Sequence, residues 1–372
     1  MKYWVWLSQL KGVGPVTQKK LLQHFHDPEL IYAASGKELL SIDGIGAKLS
    51  EAIIAQRSLE QAHAILDEVN SKEIKILTYG DPLYPNKAKK VDYAPAVLYY
   101  KGGIKKDILG VGIVGARRCT EYGKRIAVEA AEYLAYHGIP VISGMARGID
   151  GYAHIACLKA GGYTIAFLGN GIDITYPKEH NELQLAIIEK GAVVSEYPPG
   201  TMVRPENFPK RNGLISSWCD KLLVVEAAEK SGALITAEYG KLHGRQVLVP
   251  PHEIYSRTGR GTNRLLLKGA IPYLDPSQLL PEGSFLGGLL DNSLTKSGRM
   301  FQKQQKGSTG CKQGGSLTTE EKLVKDALMD RAYTVEEIER LTGVKQIRLI
   351  EILSILELKG EIKAVPGGRF AK

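Results

Sequence analysis

From residue 107 onward, short runs rich in Val and Ile alternate with helical stretches of roughly ten to fifteen residues, and no other feature limits the possible folds so sharply. The runs are DILGVGIVG, IPVISG, GYTIAFLG, GAVVSE, KLLVVEA and RQVLVP. Between them, apolar residues recur at helical spacing over about 120–137, 150–160, 178–190 and 232–243, with one long loop before KLLVVEA. Strands that read as near-continuous apolar runs are covered on both faces. The pattern therefore predicts an α/β domain: a parallel sheet with helices on both sides.

The rest of the 372-residue chain is organised around that sheet. Residues 1–70 carry three- and four-residue apolar spacing and read as a helical domain; 71–106 read as a connector with short strands, opening the sheet domain of 71–280. Residues 281–316 are rich in Gly, Ser, Lys and Gln, without periodicity, and read as a flexible linker. Residues 317–372 regain three helical patterns and end in EIKAVPGGRFAK, a two-stranded tip around a Pro-Gly-Gly turn, which is the winged-helix plan.

Composition narrows the function. At 44% hydrophobic and 24% charged residues, the chain is neither collagenous nor disordered. The net charge of +9 favours a polyanionic partner. Residues 317–372 balance ten Lys and Arg against ten Asp and Glu, so the excess sits in the body and linker, where nucleic acid is to be sought first. The four cysteines form no CxxC, and the reading is reduced thiols in a cytoplasmic protein. No apolar stretch approaches the ~20 residues of a membrane span. The histidines show no metal-ligand spacing, and GxSxG, HExxH and GxxxxGK[ST] are absent, so the body reads as a binding site without catalytic residues, metal or cofactor.

Gly12-Val13-Gly14 and Gly44-Ile45-Gly46 each open a helix, about 32 residues apart, and each resembles a helix–hairpin–helix turn. Such a turn can offer amides to a phosphate, or can serve only to pack two helices. Gly110, Gly112 and Gly115 match GxGxxG, but VGIVG reads as the strand itself and no acid ends the next strand, which argues against a dinucleotide site. More informative are the strand tips. Gly115 and Arg117 precede a helix and suit a phosphate, the alternative being a solvated Arg117. Ser143 and Gly144 end the second strand; Asp150 reads as an N-cap of the helix carrying His154. On the long loop, Phe208 beside Lys210, Arg211 and Asn212 suits a single strand, with a ring for stacking, cations for phosphate and an amide for a base edge; a core Phe208 is the other reading. Ser231 and Gly232 start a helix with small residues that admit a phosphate. All these tips fall at carboxyl ends of parallel strands, where open α/β sheets bind ligands.

Taken in order, IVGARRCTEYG, SGMARGIDGYAH, GNGIDITYPKEHN, SEYPPGTMVRPENFPKRN, VVEAAEKSGALITAEYG, VLVPP and GTNRLLLKGA resemble the DNA-processing protein A (DprA/Smf) family. The resemblance implies an extended Rossmann-like domain, flanked by a helical, sterile-alpha-motif-like N-terminal domain and a winged helix. It implies a sequence-independent single-stranded DNA binder that dimerises, protects incoming strands and loads the RecA recombinase in natural transformation. Its DNA pocket would comprise Gly115, Arg117, Ser143, Gly144, Phe208, Lys210, Arg211, Asn212, Ser231 and Gly232. Two departures stand out: Ala116 where the family commonly has Ser, and Gly213 where it commonly has Arg. The competing function is a nucleotide phosphoribohydrolase of the lysine-decarboxylase-like fold, with Glu238 in the catalytic place but without that fold's Gly-Gly. A dimer is expected through the apolar cluster Leu242, Val247, Leu248, Leu265, Leu266 and Leu267, which could equally just close the core. The third helix of the winged helix, about 344–359, mixes both charges and suits a DNA groove or a protein partner.

Overall fold

The structure is a computed structural model, and it describes residues 1–280 and 319–372 apart from 329–330, 347, 350–351, 354–355, 357–360 and 366–368. The chain divides into two compact units, Met1–Leu286 and Gly287–Lys372. The expected linker, the Pro-Gly-Gly turn and much of the third C-terminal helix lie outside the described residues.

The first unit begins with six helices: α1 (Lys2–Gln9), α2 (Pro15–Phe25), α3 (Pro28–Ala33), α4 (Gly36–Leu40), α5 (Ala47–Ala55) and α6 (Glu60–Ser71). Both glycine pairs work as predicted for hairpin turns. Gly12 and Gly44 take φ of 82° and 87°, the left-handed region open to glycine, while Gly14 and Gly46 cap α2 and α5. Val13 and Ile45, between the glycines, are buried.

Nine strands form one sheet in the order β1-β2-β6-β5-β4-β3-β7-β8-β9. They are β1 (Lys75–Thr78), β2 (Val97–Gly102), β3 (Val111–Val114), β4 (Val141–Ser143), β5 (Thr164–Leu168), β6 (Ala192–Ser195), β7 (Lys221–Val224), β8 (Gln246–Val249) and β9 (Ile271–Pro272). Strands β3 to β9 pair in parallel; the connector strands β1 and β2 add an antiparallel edge beside β6. Helices α7 (Asn86–Lys89), α8 (Glu121–Tyr136), α9 (Ile149–Lys159), α10 (Asn181–Lys190), α11 (Asn207–Trp218), α12 (Gly232–Leu242) and α13 (Arg260–Leu267) connect them. Alternate residues of β7 and the position after it serve opposite faces: Leu222 and Val224 join one core cluster, Leu223 and Val225 another. The N-terminal helices share a core with the sheet, Val5, Leu7 and Leu21 packing in one cluster with Tyr99, Leu168 and Val193.

One expectation needs correction. The segment carrying Phe208, Lys210, Arg211 and Asn212 is not loop but the first turns of α11, although Pro209 falls within it. Proline is tolerated in the first turn, where its missing N–H would have had no partner.

In the second unit, helices Thr319–Ala327 and Val335–Thr342 accompany a small antiparallel sheet in the order β10 (Tyr333–Thr334), β12 (Arg369–Ala371) and β11 (Lys363–Val365). Val324, Ile338, Leu349, Leu353 and Leu356 form its core. A Thr334–Glu337 capping box starts the second helix, and Gly343, at φ 70°, ends it. Helices with a β-ribbon match the expected winged helix.

Candidate nucleic-acid interface

The strand order fixes where a ligand site can form. From β3 the chain winds outward through β4, β5 and β6, then returns to β7 on the other flank of β3 and winds away through β8 and β9. The connections after β3 and β7 therefore diverge, and a crevice opens at their carboxyl ends. It holds a cavity of about 450 Å³ lined by the β3 tip from Val114 to Arg118, the start of α11, and the segment from Ala228 to Gly232 that leads into α12. A second cavity of about 260 Å³, bounded by Arg117, Gly144, Arg147, Tyr176 and Phe208, adjoins it.

Gly115 is required by close packing: a Cβ there would lie 2.6 Å from Ile149 Cγ1. The tight turn releases Arg117 and Arg118 to the surface. The Arg117 guanidinium lies 5.4 Å from the centre of the Phe208 ring, and Tyr176 packs on that ring at 5.7 Å. Phe208 is half-buried, neither a plain core residue nor a free one. Across the crevice Ser231 caps α12, accepting from Ala233 N. Gly232 is exposed, with only Asn212 Nδ2 near the place of its missing Cβ, and Asn212 Nδ2 donates to Gly232 O at 3.2 Å. A helix N-terminus and two arginines thus face one cavity, all favouring an anion, with an aromatic ring between them.

Three other expected contacts serve different ends. Ser143 is fully buried, and its Oγ donates to Ile113 O at 2.6 Å, tying β4 to β3. Arg211 is 4% exposed; it donates to Gly144 O and, at 3.0 Å, to Phe167 O, so it clamps the β4 and β5 tips to α11. A Cβ on Gly144 would collide with the Arg211 guanidinium and lie 2.7 Å from Asp150 Oδ2. Asp150 is not the expected N-cap, a place held by Gly148; its buried carboxylate accepts from Gly144 N at 3.2 Å and faces Arg211. Burial pushes the Asp150 carboxyl above its ordinary range, while Arg211 and neighbouring amides pull the other way. Lys210 lies on the other side of α11, where it lines a separate cavity with Glu196 and Tyr197. The idea that Arg117 and Lys210 face one crevice is therefore corrected: on a helix, residue 210 points away from the side shared by 208, 211 and 212.

Sequence reasoning missed Tyr176, Arg118 and Lys230 on the crevice walls, although Arg118 and Lys230 adjoin residues it chose. It also missed Glu226, fully buried just beyond β7. Glu226 accepts from Thr120 N and Thr120 Oγ1, both at 3.0 Å, so it holds the end of the arginine turn at the start of α8. The signal was an acid closing the apolar run LLVVEA. Glu238, the catalytic residue of the competing enzyme reading, is exposed on α12 and is not on the crevice wall. Among the described residues no group of three His, Cys, Asp or Glu could hold a metal ion, and no helix is long and apolar enough to cross a membrane.

Known proteins resemble this chain in sequence and in fold. The family described as DNA recombination-mediator protein A matches residues 75–283, more than half of the chain. The chain belongs to the DNA recombination-mediator protein A family. A SAM-like helix-hairpin-helix tandem matches residues 7–58. Protein Smf of Synechocystis is 40% identical over 283 residues, covering 75% of this chain and 71% of that protein. DNA processing protein DprA of Streptococcus pneumoniae is 36% identical over 208 residues, 55% of this chain and 73% of that one. The X-ray structure of the S. pneumoniae protein superposes with a TM-score of 0.65 at 30% identity, over 75% of this chain and 96% of that one. DNA processing protein A of Helicobacter pylori, in a structure titled for its single-stranded DNA binding mode, superposes at 0.50 with 28% identity, over 55% of this chain and 93% of its own. These family members share the sheet domain that carries the crevice.

Proposed function

We propose that the chain binds single-stranded DNA in the crevice at the β3–β7 switch point, without reading sequence, and acts as a recombination mediator that protects the strand and loads a RecA-type recombinase on it. The observation that carries this reading is the half-buried Phe208 ring beneath the Arg117 guanidinium and opposite the N-terminus of α12. Arg117 and the amides of α12 neutralise phosphate, and the ring offers a face to a base. The Asn212 amide on the crevice wall donates to Gly232 O, leaving phosphate contacts and ring stacking as the main offers to a strand, which suits a protein that must accept any sequence. The H. pylori relative, described as a single-stranded DNA binder, supports the assignment. Uptake of single strands in natural transformation is the setting we infer, with the protein acting in the cytoplasm as a homodimer. Leu242 and Leu267 support the dimer, being 74% and 89% exposed, whereas Val247, Leu248 and Leu265 of the same cluster are core.

The test is a mobility shift on single- and double-stranded DNA across a salt series. The full chain is expected to prefer the single strand. Arg117→Ala should weaken binding and reduce the log–log salt slope by about 0.7 for each phosphate that is no longer neutralised. Unchanged affinity and slope in a folded Arg117→Ala protein would refute the site.

A further inference from the structure

The smaller cavity beside the crevice has a wall of one charge. Arg117, Arg118, Arg147 and Arg211 line it with Tyr176 and Phe208, and among the described residues no carboxylate does. Arg211 is committed to the strand-tip carbonyls, and Arg117 and Arg118 make no ion pair among the described residues. Of the three exposed arginines, Arg147 alone has an acid: its Nε donates to Glu179, on the connection between β5 and α10. Like charges converging on about 260 Å³ repel one another unless an anion joins them. The tip that carries Arg147 is also held under strain. Met145, fully buried between β4 and α9, takes φ of 54°, a left-handed value that side chains resist. His180 Nδ1 donates to Met145 O at 3.0 Å, so the connection that pairs Arg147 also props the strained tip. Strain of this kind persists only where the surrounding fold imposes it, and it clusters at ligand sites. The Arg147–Glu179 pair itself is open to water, its side chains being 65% and 48% exposed. Hydrogen bonding from Arg147 holds the Glu179 carboxyl below the ordinary glutamate range, so it is ionised at neutral pH. Exposed ion pairs contribute little, so a better-placed anion can replace the carboxylate at small cost.

We infer that this cavity is a second phosphate seat on the same strand, with Glu179 as a stand-in that the strand displaces from Arg147. The two cavities share the wall made by Arg117, Arg118, Ala146 and Phe208. A strand whose base meets the Phe208 ring would have one phosphate in the crevice and a neighbouring one beside Arg147. Guanidinium binds phosphate as it binds carboxylate, through paired N–H donors, so one anion can take the other's place. With the strand already held by the crevice, the second phosphate acts at an effective concentration of about millimolar, which a free phosphate in dilute solution does not reach. Glu179 thus makes the seat selective: a strand opens it, and a lone phosphate is turned away. Backbone charge does the opening, in keeping with binding that ignores base sequence.

The inference rests on the proposed function, and the variants keep the two apart. Fluorescence anisotropy on the full chain, with dye-labelled oligo-dT of about 20 nucleotides across a salt series, would compare the parent, Arg147→Ala, Glu179→Gln and the double variant. Both side chains are exposed, so all four proteins should fold, which circular dichroism checks. Arg147→Ala is expected to weaken binding several-fold and to reduce the log–log salt slope by about 0.7, the loss of one phosphate contact. Glu179→Gln keeps the side-chain length, removes the charge and should tighten binding several-fold. In the double variant most of that gain should vanish, because Glu179 acts through Arg147. A gain of equal size with and without Arg147 would mean that Glu179 only repels DNA from a distance, and it would overturn the inference. So would an Arg147→Ala protein with the parent's affinity and slope, in a chain that still loses binding on Arg117→Ala; the crevice would then stand without the second seat. A further arm adds orthophosphate at constant ionic strength. It should compete with the strand more strongly in Glu179→Gln than in the parent, and equal competition in both would refute the stand-in. If the parent binds no strand at all, the proposed function falls and this inference falls with it.

Discussion

Arg211 provides the sharpest test of how the site is built, because sequence patterning offers it as a DNA contact and the structure places it in the core. Its guanidinium reaches the backbone of two strand tips, at Gly144 O and Phe167 O, and faces the buried Asp150 carboxylate. Arg211→Ala leaves both carbonyls without that donor and Asp150 without its counter-charge. An orphaned buried polar group costs about 1–3 kcal/mol. Stranding a buried charge costs about 3–5 kcal/mol. The two overlap, since both arise from the same guanidinium, so a net loss of about 4 kcal/mol is expected. With a urea dependence of roughly 3 kcal/mol per molar, the unfolding midpoint would fall by more than about 1 M. Asp150→Asn added to Arg211→Ala should recover part of the loss by removing the stranded charge. Lys210→Ala, one residue away and exposed, should stay within about 0.5 kcal/mol of the parent. Circular dichroism through a urea series reads all four proteins. An Arg211→Ala midpoint indistinguishable from the parent, or no recovery in the double variant, would show that the clamp is misread. The DNA measurement discriminates as well: where Arg211→Ala remains folded, its salt slope should match the parent's, because the guanidinium, although it borders both cavities, is 4% exposed and its hydrogens go to Gly144 O and Phe167 O and not to a phosphate.

Two further outcomes are expected. Thr164 Oγ1 donates its one hydrogen to Val141 O, so it accepts from His154 Nδ1 at 2.7 Å, and His154 is a neutral, fully buried imidazole whose pKa burial lowers to about 3. The unfolded chain, with an ordinary value near 6.5, binds that proton first, so stability falls on acidification below about pH 6.5, by roughly 2 kcal/mol from pH 7 to 5, and His154→Leu should lack that component in chemical denaturation at both pH values. A chain ending at residue 286, the boundary of the first compact unit, should fold and keep its single-strand affinity; loss of most binding in a mobility shift would assign the main DNA contact to the second unit instead.

Local signals in the sequence determined much of this protein. The alternation of apolar runs and helices fixed a parallel sheet because each run is too apolar to face water on either side, and the structure places those runs at β3 to β8. The glycine pairs fixed the hairpin turns because the conformation at Gly12 and Gly44 is one that side chains resist. The rule that ligands gather at carboxyl ends of parallel strands found Gly115, Arg117, Phe208, Asn212, Ser231 and Gly232, and all of them line the crevice. Which side of α11 each residue would take was a different matter. Phe208, Lys210 and Arg211 are neighbours in the chain, yet the helical rotation sends Phe208 to the crevice wall, Lys210 to the far cavity and Arg211 to the crevice floor, where it is 4% exposed and bonded to the strand tips. Likewise, Ser143 and Asp150 carry no local mark of burial; they became structural because β3, Gly144 and α11 close over them. Glu226 is an acid closing an apolar strand run, and only packing decided that one of its oxygens would meet Thr120. Backbone conformation and strand burial are set by residues close in sequence. Burial and pairing of a polar side chain are set by whatever distant segment arrives against it, and that is decided only when the chain has folded.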